Sequence, residues 1–140
     1  MTYEAKGFTL IEIIVVMIIV GILATLGLTQ YTKVVEKGRT TEARSILGAI
    51  RTLQEAYKLE NGVYTGDILN LPLGVPTGFP CPATGSAGAT HFFSYDISIP
   101  VPGTFLGTAT RCLEGTGKNP GAAAPYYITI NQSGDWGGTF

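Results

Sequence analysis

The sequence predicts an α+β fold: a long N-terminal helix, transmembrane and then amphipathic, carrying a small antiparallel β-sheet head. Three observations predict it. From Phe8 to Leu28 the chain holds no charge except Glu12. From Ala43 to Tyr57 apolar residues recur at three- and four-residue steps, the period of one helix face. From His91 to Asn131 short runs alternate apolar and polar residues between turns bearing Gly or Pro.

Residues 1–7 hold Glu4 and Lys6 and are too short to fold. The apolar segment, residues 8–29, has the length to cross a bilayer. Its uncharged run of about 21 residues would extend roughly 31 Å as a helix, close to the ~30 Å hydrocarbon thickness. Its Phe, Leu, Ile and Val side chains favour insertion by up to roughly 4–8 kcal/mol, more than the ~3 kcal/mol cost of one central carboxylate. The segment therefore inserts despite Glu12, and Glu12 requires a separate reason. A secretory signal peptide has a shorter apolar core followed by a small-residue cut site, and neither feature fits here.

Residues 30–61 continue as an amphipathic helix. Ala43, Ile46, Leu47, Ile50, Leu53 and Tyr57 form its apolar face, while Glu42, Arg44, Arg51, Glu55 and Lys58 largely occupy the others. Arg51 and Glu55 are spaced for a surface ion pair. Asn61-Gly62 is a stop signal, because Gly62 can adopt the left-handed conformation. Residues 62–140 read as a loop followed by an antiparallel head. Pro72, Pro76, Pro80 and Pro82 exclude a long helix between Tyr64 and Gly88, and Ile68, Leu69, Leu71 and Leu73 are expected to tuck inward. Three strands are expected. The first is His91–Ile99, with Phe93, Tyr95, Ile97 and Ile99 on one face. The second is Phe105–Leu113, interrupted by Gly107, and the third is Tyr126–Asn131, ahead of a turn at Ser133-Gly134.

The run Gly7-Phe8-Thr9-Leu10-Ile11-Glu12, followed by a long apolar helix, resembles the N-terminus of type IV pilins and of type II secretion pseudopilins. The clear likeness covers roughly residues 1–60. It implies a ladle-like subunit whose leader is cut by a prepilin peptidase between Gly7 and Phe8, with N-methylation of the new terminus at Phe8. It also implies a homopolymer built by a pilus assembly machinery. The precursor would lie in the inner membrane and the filament outside the cell. Lys33, Lys37 and Arg39 outnumber Lys6 across the apolar segment, so the positive-inside count points to the opposite orientation. Resembling subunits often carry a proline about fifteen residues beyond the acid. Here that position falls near Thr29, without proline.

Gly7 has no side chain, so its peptide bond can approach a protease closely. Cleavage would leave an ammonium on Phe8, and Glu12, four residues on, is the nearest counter-charge. Pairing between Phe8 of one subunit and Glu12 of the next would fix axial register, because burying either charge alone is costly. Gly21 and Gly27 each cost roughly 1 kcal/mol of helix propensity against Ala and are expected points of flexibility.

Cys81 and Cys112 are the only cysteines. In an exported head they are expected to form a disulfide. Two cysteines and the lone His91 supply too few ligands for a metal, and no cofactor is expected. Asp96 and Asp135 are isolated acids, and Asp135 beside Gly134 reads as a turn residue. No phosphate loop, nucleophile elbow or zinc spacing occurs, so no catalytic residue is assigned and an enzyme is not expected. A net charge of −1 gives no indication of nucleic-acid binding. The leading expectation is a pilus subunit. The alternatives are a pseudopilin in a periplasmic filament and a membrane-tethered binding module that never polymerises.

Overall fold

The computed structural model describes residues 7–74, 81, 91–113, 115–117 and 125–139. The leader before Gly7, the prolines at 76, 80 and 82, and the tract at 121–124 lie outside these residues. The chain divides into two units, Met1–Gly38 and Arg39–Phe140. One helix, α1, is continuous from Leu10 to Asn61 over 52 residues and passes unbroken through Gly21 and Gly27. In the first unit its apolar side chains between Leu10 and Leu26 are exposed, as a helix meant for an apolar surrounding would have them.

The second unit packs the end of α1 on a four-stranded antiparallel sheet in the order β1-β2-β3-β4: β1 Phe93–Ser98, β2 Leu106–Arg111, β3 Tyr127–Asn131, β4 Trp136–Thr139. Ala43, Leu47 and Ile50 are fully buried against Tyr95, Ile97, Ala109, Ile128 and Ile130, so the period-3.6 face of the helix meets the period-2 face of the sheet. The helix stops where expected. Gly62 takes φ 78° and its N–H donates to the Lys58 carbonyl at 2.8 Å.

Several expectations need correction. The described residues form four strands, not three: Trp136-Gly137-Gly138-Thr139 extends the sheet beside β3. Its two glycines carry no strand signal, but their small size is required. A Cβ on Gly138 would collide with the backbone at Tyr127 and Ile128. Gly107 does not interrupt β2. It pairs with Ile97 and Ile130, and a Cβ there would meet Leu47 and Ile130 at 3.4 Å, so its bareness lets the helix approach the sheet. Ile99 lies beyond the end of β1, and Leu69 points outward whereas Ile68 and Leu71 are buried. Arg51 donates to the Gln132 carbonyl at 3.2 Å, while Glu55 accepts from the Tyr64 hydroxyl at 2.9 Å, so each member of the expected ion pair has another contact.

The segment after the helix is held by Gln54. Its amide nitrogen donates to the Thr65 carbonyl at 2.6 Å, and its amide oxygen accepts the Thr65 N–H at 3.0 Å. Gln54 is fully buried, so both of its bonds replace water. The Thr65 hydroxyl accepts from the Asp67 N–H, and Asp67 caps a short 3₁₀ turn, Ile68–Asn70, which brings Ile68 into the core. Gln54 stands at helical spacing between Ile50 and Tyr57, and that spacing is the sign in the sequence of a buried polar side chain.

Candidate functional site

The N-terminal motif begins outside the helix. Residues 7–9 are non-helical and α1 starts at Leu10. Thr9 is the boundary. Its carbonyl accepts from the Ile13 N–H at 3.4 Å, and its hydroxyl oxygen accepts from the Glu12 N–H at 3.3 Å. Thr9-Leu10-Ile11-Glu12 thus has the spacing of a capping box, with the acid in the first turn where the positive end of the helix dipole favours it. The Gly7–Phe8 peptide bond lies just ahead of this cap, in backbone a peptidase can reach without unwinding helix. Phe8 is exposed, as are Glu12 and the apolar side chains after it through Leu26. The helix is long and apolar enough to cross a membrane by length and composition.

The two glycines differ in surroundings that the sequence did not reveal. A Cβ on either would meet nothing within 4 Å. At Gly21, however, the carbonyl also accepts from the Thr25 hydroxyl at 2.9 Å, a contact that competes with the helical ladder and tends to bend it.

In the head, Cys81 and Cys112 form a disulfide across 31 positions, with Cα atoms 5.6 Å apart. Cys112 follows β2, and its N–H donates to the Phe92 carbonyl at 3.0 Å. Gly117, at φ 62°, lies so close that a Cβ would stand 2.6 Å from the Cys112 sulfur. Arg111, adjacent in sequence, is buried. Its guanidinium donates to the carbonyls of Phe92 and Cys112, both at 3.0 Å, and lies near the rings of Phe92 and Phe93. The sequence reading missed this buried cation, although it falls on the same alternating face as Gly107 and Ala109.

His91 stands 3.5 Å from the Glu42 carboxylate through Nδ1, a contact between α1 and the residues ahead of β1. Asp135 is tied to Asn131 by paired bonds, Asn131 Nδ2 to its carboxylate at 3.0 Å and its own N–H to Asn131 Oδ1 at 2.9 Å, so it shapes the β3–β4 turn. Among the described residues no three His, Cys, Asp or Glu side chains gather as a metal site.

Tyr95 is buried and its hydroxyl has no hydrogen-bond partner among the described residues. Burial first, and the Glu42 charge second, push that hydroxyl well above its ordinary pKa. The folded chain therefore keeps this proton where the unfolded chain loses it. The stability Tyr95 protects is full below about pH 10 and is lost as pH climbs beyond it. Tyr95→Phe should remove both the orphaned group and this alkaline loss, raising neutral stability by about 1 kcal/mol. Thermal melts of both proteins at pH 7 and pH 11 check this. Equal alkaline losses in the two would contradict it.

Residues 4–28 match a protein family described as the prokaryotic N-terminal methylation motif. The type IV major fimbrial protein FimA of Dichelobacter nodosus is 30% identical over 142 aligned positions, covering 94% of this chain and 85% of FimA. Type II secretion system core protein G of Pseudomonas aeruginosa is 40% identical over 81 residues, 56% of this chain and 57% of that protein. Type IV major pilin protein PilA of Myxococcus xanthus is 35% identical over 60 residues, 43% of this chain and 27% of that protein. The chain thus matches little more than half of the secretion protein and about a quarter of PilA. No solved structure matches the chain.

Proposed function

The chain belongs to the type IV pilin family, and from that premise we propose that it is the structural, major-pilin-like subunit of a type IV pilus. The observation that carries this reading is the relationship to FimA along nearly the whole chain, joined to a helix whose apolar face the fold leaves uncovered.

The precursor waits in the inner membrane with its apolar segment in lipid. Prepilin peptidase cuts after Gly7 and Phe8 is N-methylated. The subunit is then drawn by the assembly machinery into a bundle of like helices with heads outward. Lipid is exchanged for neighbouring helices, so the apolar surface never meets water. The Phe8 ammonium and the Glu12 carboxylate of adjacent subunits pair during that transfer and set the axial step, while Gly21 and Gly27 let the helix adjust. The chain itself contributes no catalytic residue to these steps. The result is a filament outside the cell.

The mature protein should weigh less than the precursor by residues 1–7 and more by one methyl group, as read by intact mass spectrometry. It should be recovered in fibres sheared from cells. A full-length, unmethylated product from cells with active peptidase would refute the reading. The 40% identity to secretion protein G supports a second reading, a pseudopilin in a periplasmic filament. Fibres confined to the periplasm would favour it.

A further inference from the structure

At the end of the head where α1 stops, large apolar side chains stand in water. Leu59 is 88% exposed, Leu69 73%, Val63 62% and Val101 57%. The segments that carry Val63, Leu69 and Val101 adjoin. A Cβ on Gly66 would lie 3.4 Å from Ile99, and the Tyr64 ring packs on Phe105 at 5.0 Å, so the β1–β2 turn adjoins the segment after the helix. Single exposed apolar residues are ordinary, whereas a group on adjoining segments marks a contact surface. Its charge is acidic. Lys58 is laid over the Tyr64 ring at 4.4 Å, and Glu55 accepts from the Tyr64 hydroxyl, so these two are already engaged. Glu60 and Asp67 are exposed at the rim, Asp67 with one carboxylate oxygen accepting the Leu69 N–H.

The complementary surface is on the same chain. Tyr31 and Val34, three residues apart on α1, are each 68% exposed and lie past the uncharged run. Lys33 and Lys37 flank them, both exposed, against a single Glu36. We propose that the apolar end of one subunit's head, at Leu59, Val63 and Leu69, seats on Tyr31 and Val34 of a second copy, with Glu60 and Asp67 facing Lys33 and Lys37. The contact rests on the homopolymer proposed above and names the surfaces that meet within it. Head against head would set acid on acid, and Tyr31–Lys37 against its own copy would set base on base. Charge therefore selects the unlike pairing, and an unlike pairing propagates into a fibre when the rotation does not close a ring.

Cysteine cross-linking in the full chain, expressed with its assembly machinery, tests this. Both native cysteines are bridged, so Tyr31→Cys and Val63→Cys introduce the only free thiols among the described residues. Mild oxidation of sheared filaments from the double variant should give a ladder of multimers on a non-reducing gel, and neither single variant should cross-link. Glu60→Lys should cut filament yield at least about fivefold, and Lys33→Glu in the same chain should restore it. Normal filaments without a ladder, a dimer from either single variant, cross-linking of the Val63→Cys thiol to a different protein, or failure of Lys33→Glu to rescue would each overturn the contact while leaving the pilus reading standing. Failure of the unsubstituted chain to form filaments would overturn both.

Discussion

Glu12→Val should enter the membrane and be cut after Gly7 as efficiently as the unsubstituted chain, yet be absent from filaments. Removing the carboxylate relieves a cost that reaches roughly 2.5–3.5 kcal/mol at the centre of a membrane helix and is smaller near its end, where Glu12 lies, so insertion cannot suffer. The proposed cleavage at Gly7–Phe8 falls ahead of the Thr9 cap and would not use the acid. What is lost is the partner of the Phe8 ammonium. Breaking one half of a buried pair leaves an uncompensated charge, at about 3–5 kcal/mol for each subunit added, which lowers incorporation a hundredfold or more. Immunoblots of membranes against sheared fibres separate the two effects. Valine-bearing subunits at normal abundance in purified fibres would remove Glu12 from the assembly step. Glu12→Gln sharpens the test, because glutamine also suits the third position of a capping box. A Glu12→Gln chain with a normal helix start but no filaments assigns the loss to charge.

The second large effect is expected from the disulfide. Replacing Cys81 and Cys112 together by serine opens a covalent loop spanning 31 positions. The chain-entropy relation puts the loss at about 3.5 kcal/mol. A head of this size has only a modest core, built on Leu47, Ile50, Phe93, Tyr95 and a few neighbours. At 4–8 °C per kcal/mol, its melting temperature should fall by roughly 15–25 °C. Near-ultraviolet circular dichroism follows the head, since Tyr64, Phe92, Phe93, Tyr95, Phe105 and Tyr126 lie in or beside its core while the apolar segment holds only Phe8. Reduction of the unsubstituted protein should reproduce the fall. A change of under ~5 °C would show that the segment before β1 is secured by other contacts.

The second half of α1 was readable in the sequence because a single helix face had to be apolar, and Ala43, Leu47 and Ile50 are the residues that became fully buried. The strand faces were readable for the same reason, with Phe93, Tyr95 and Ile97 turned inward by simple alternation. Legibility failed where a residue's role depends on a distant neighbour. Gly107 looked like a break because glycine weakens strands, but Leu47, sixty positions earlier, needs the space above it. β4 was invisible because Gly137 and Gly138 at its centre have little strand propensity, and its place comes from pairing with β3. At the N-terminal site, the Thr9–Glu12 spacing was on view and its capping role was not drawn from it.

The order of residues alone determined the segment suited to a membrane, the motif at Gly7–Glu12, the length of the helix and its stop at Gly62. All of these follow from local chemistry: hydropathy, charge, periodicity and backbone freedom along a continuous stretch. Only the tertiary structure decided that Gln54 clamps Thr65, that Arg111 is buried beside the disulfide, that the Tyr95 hydroxyl finds no partner among the described residues and that a fourth strand extends the sheet. Those outcomes depend on which groups come within a few ångströms after the chain has folded back on itself, where the removal of water leaves each polar atom to be satisfied by whatever the fold brings to it.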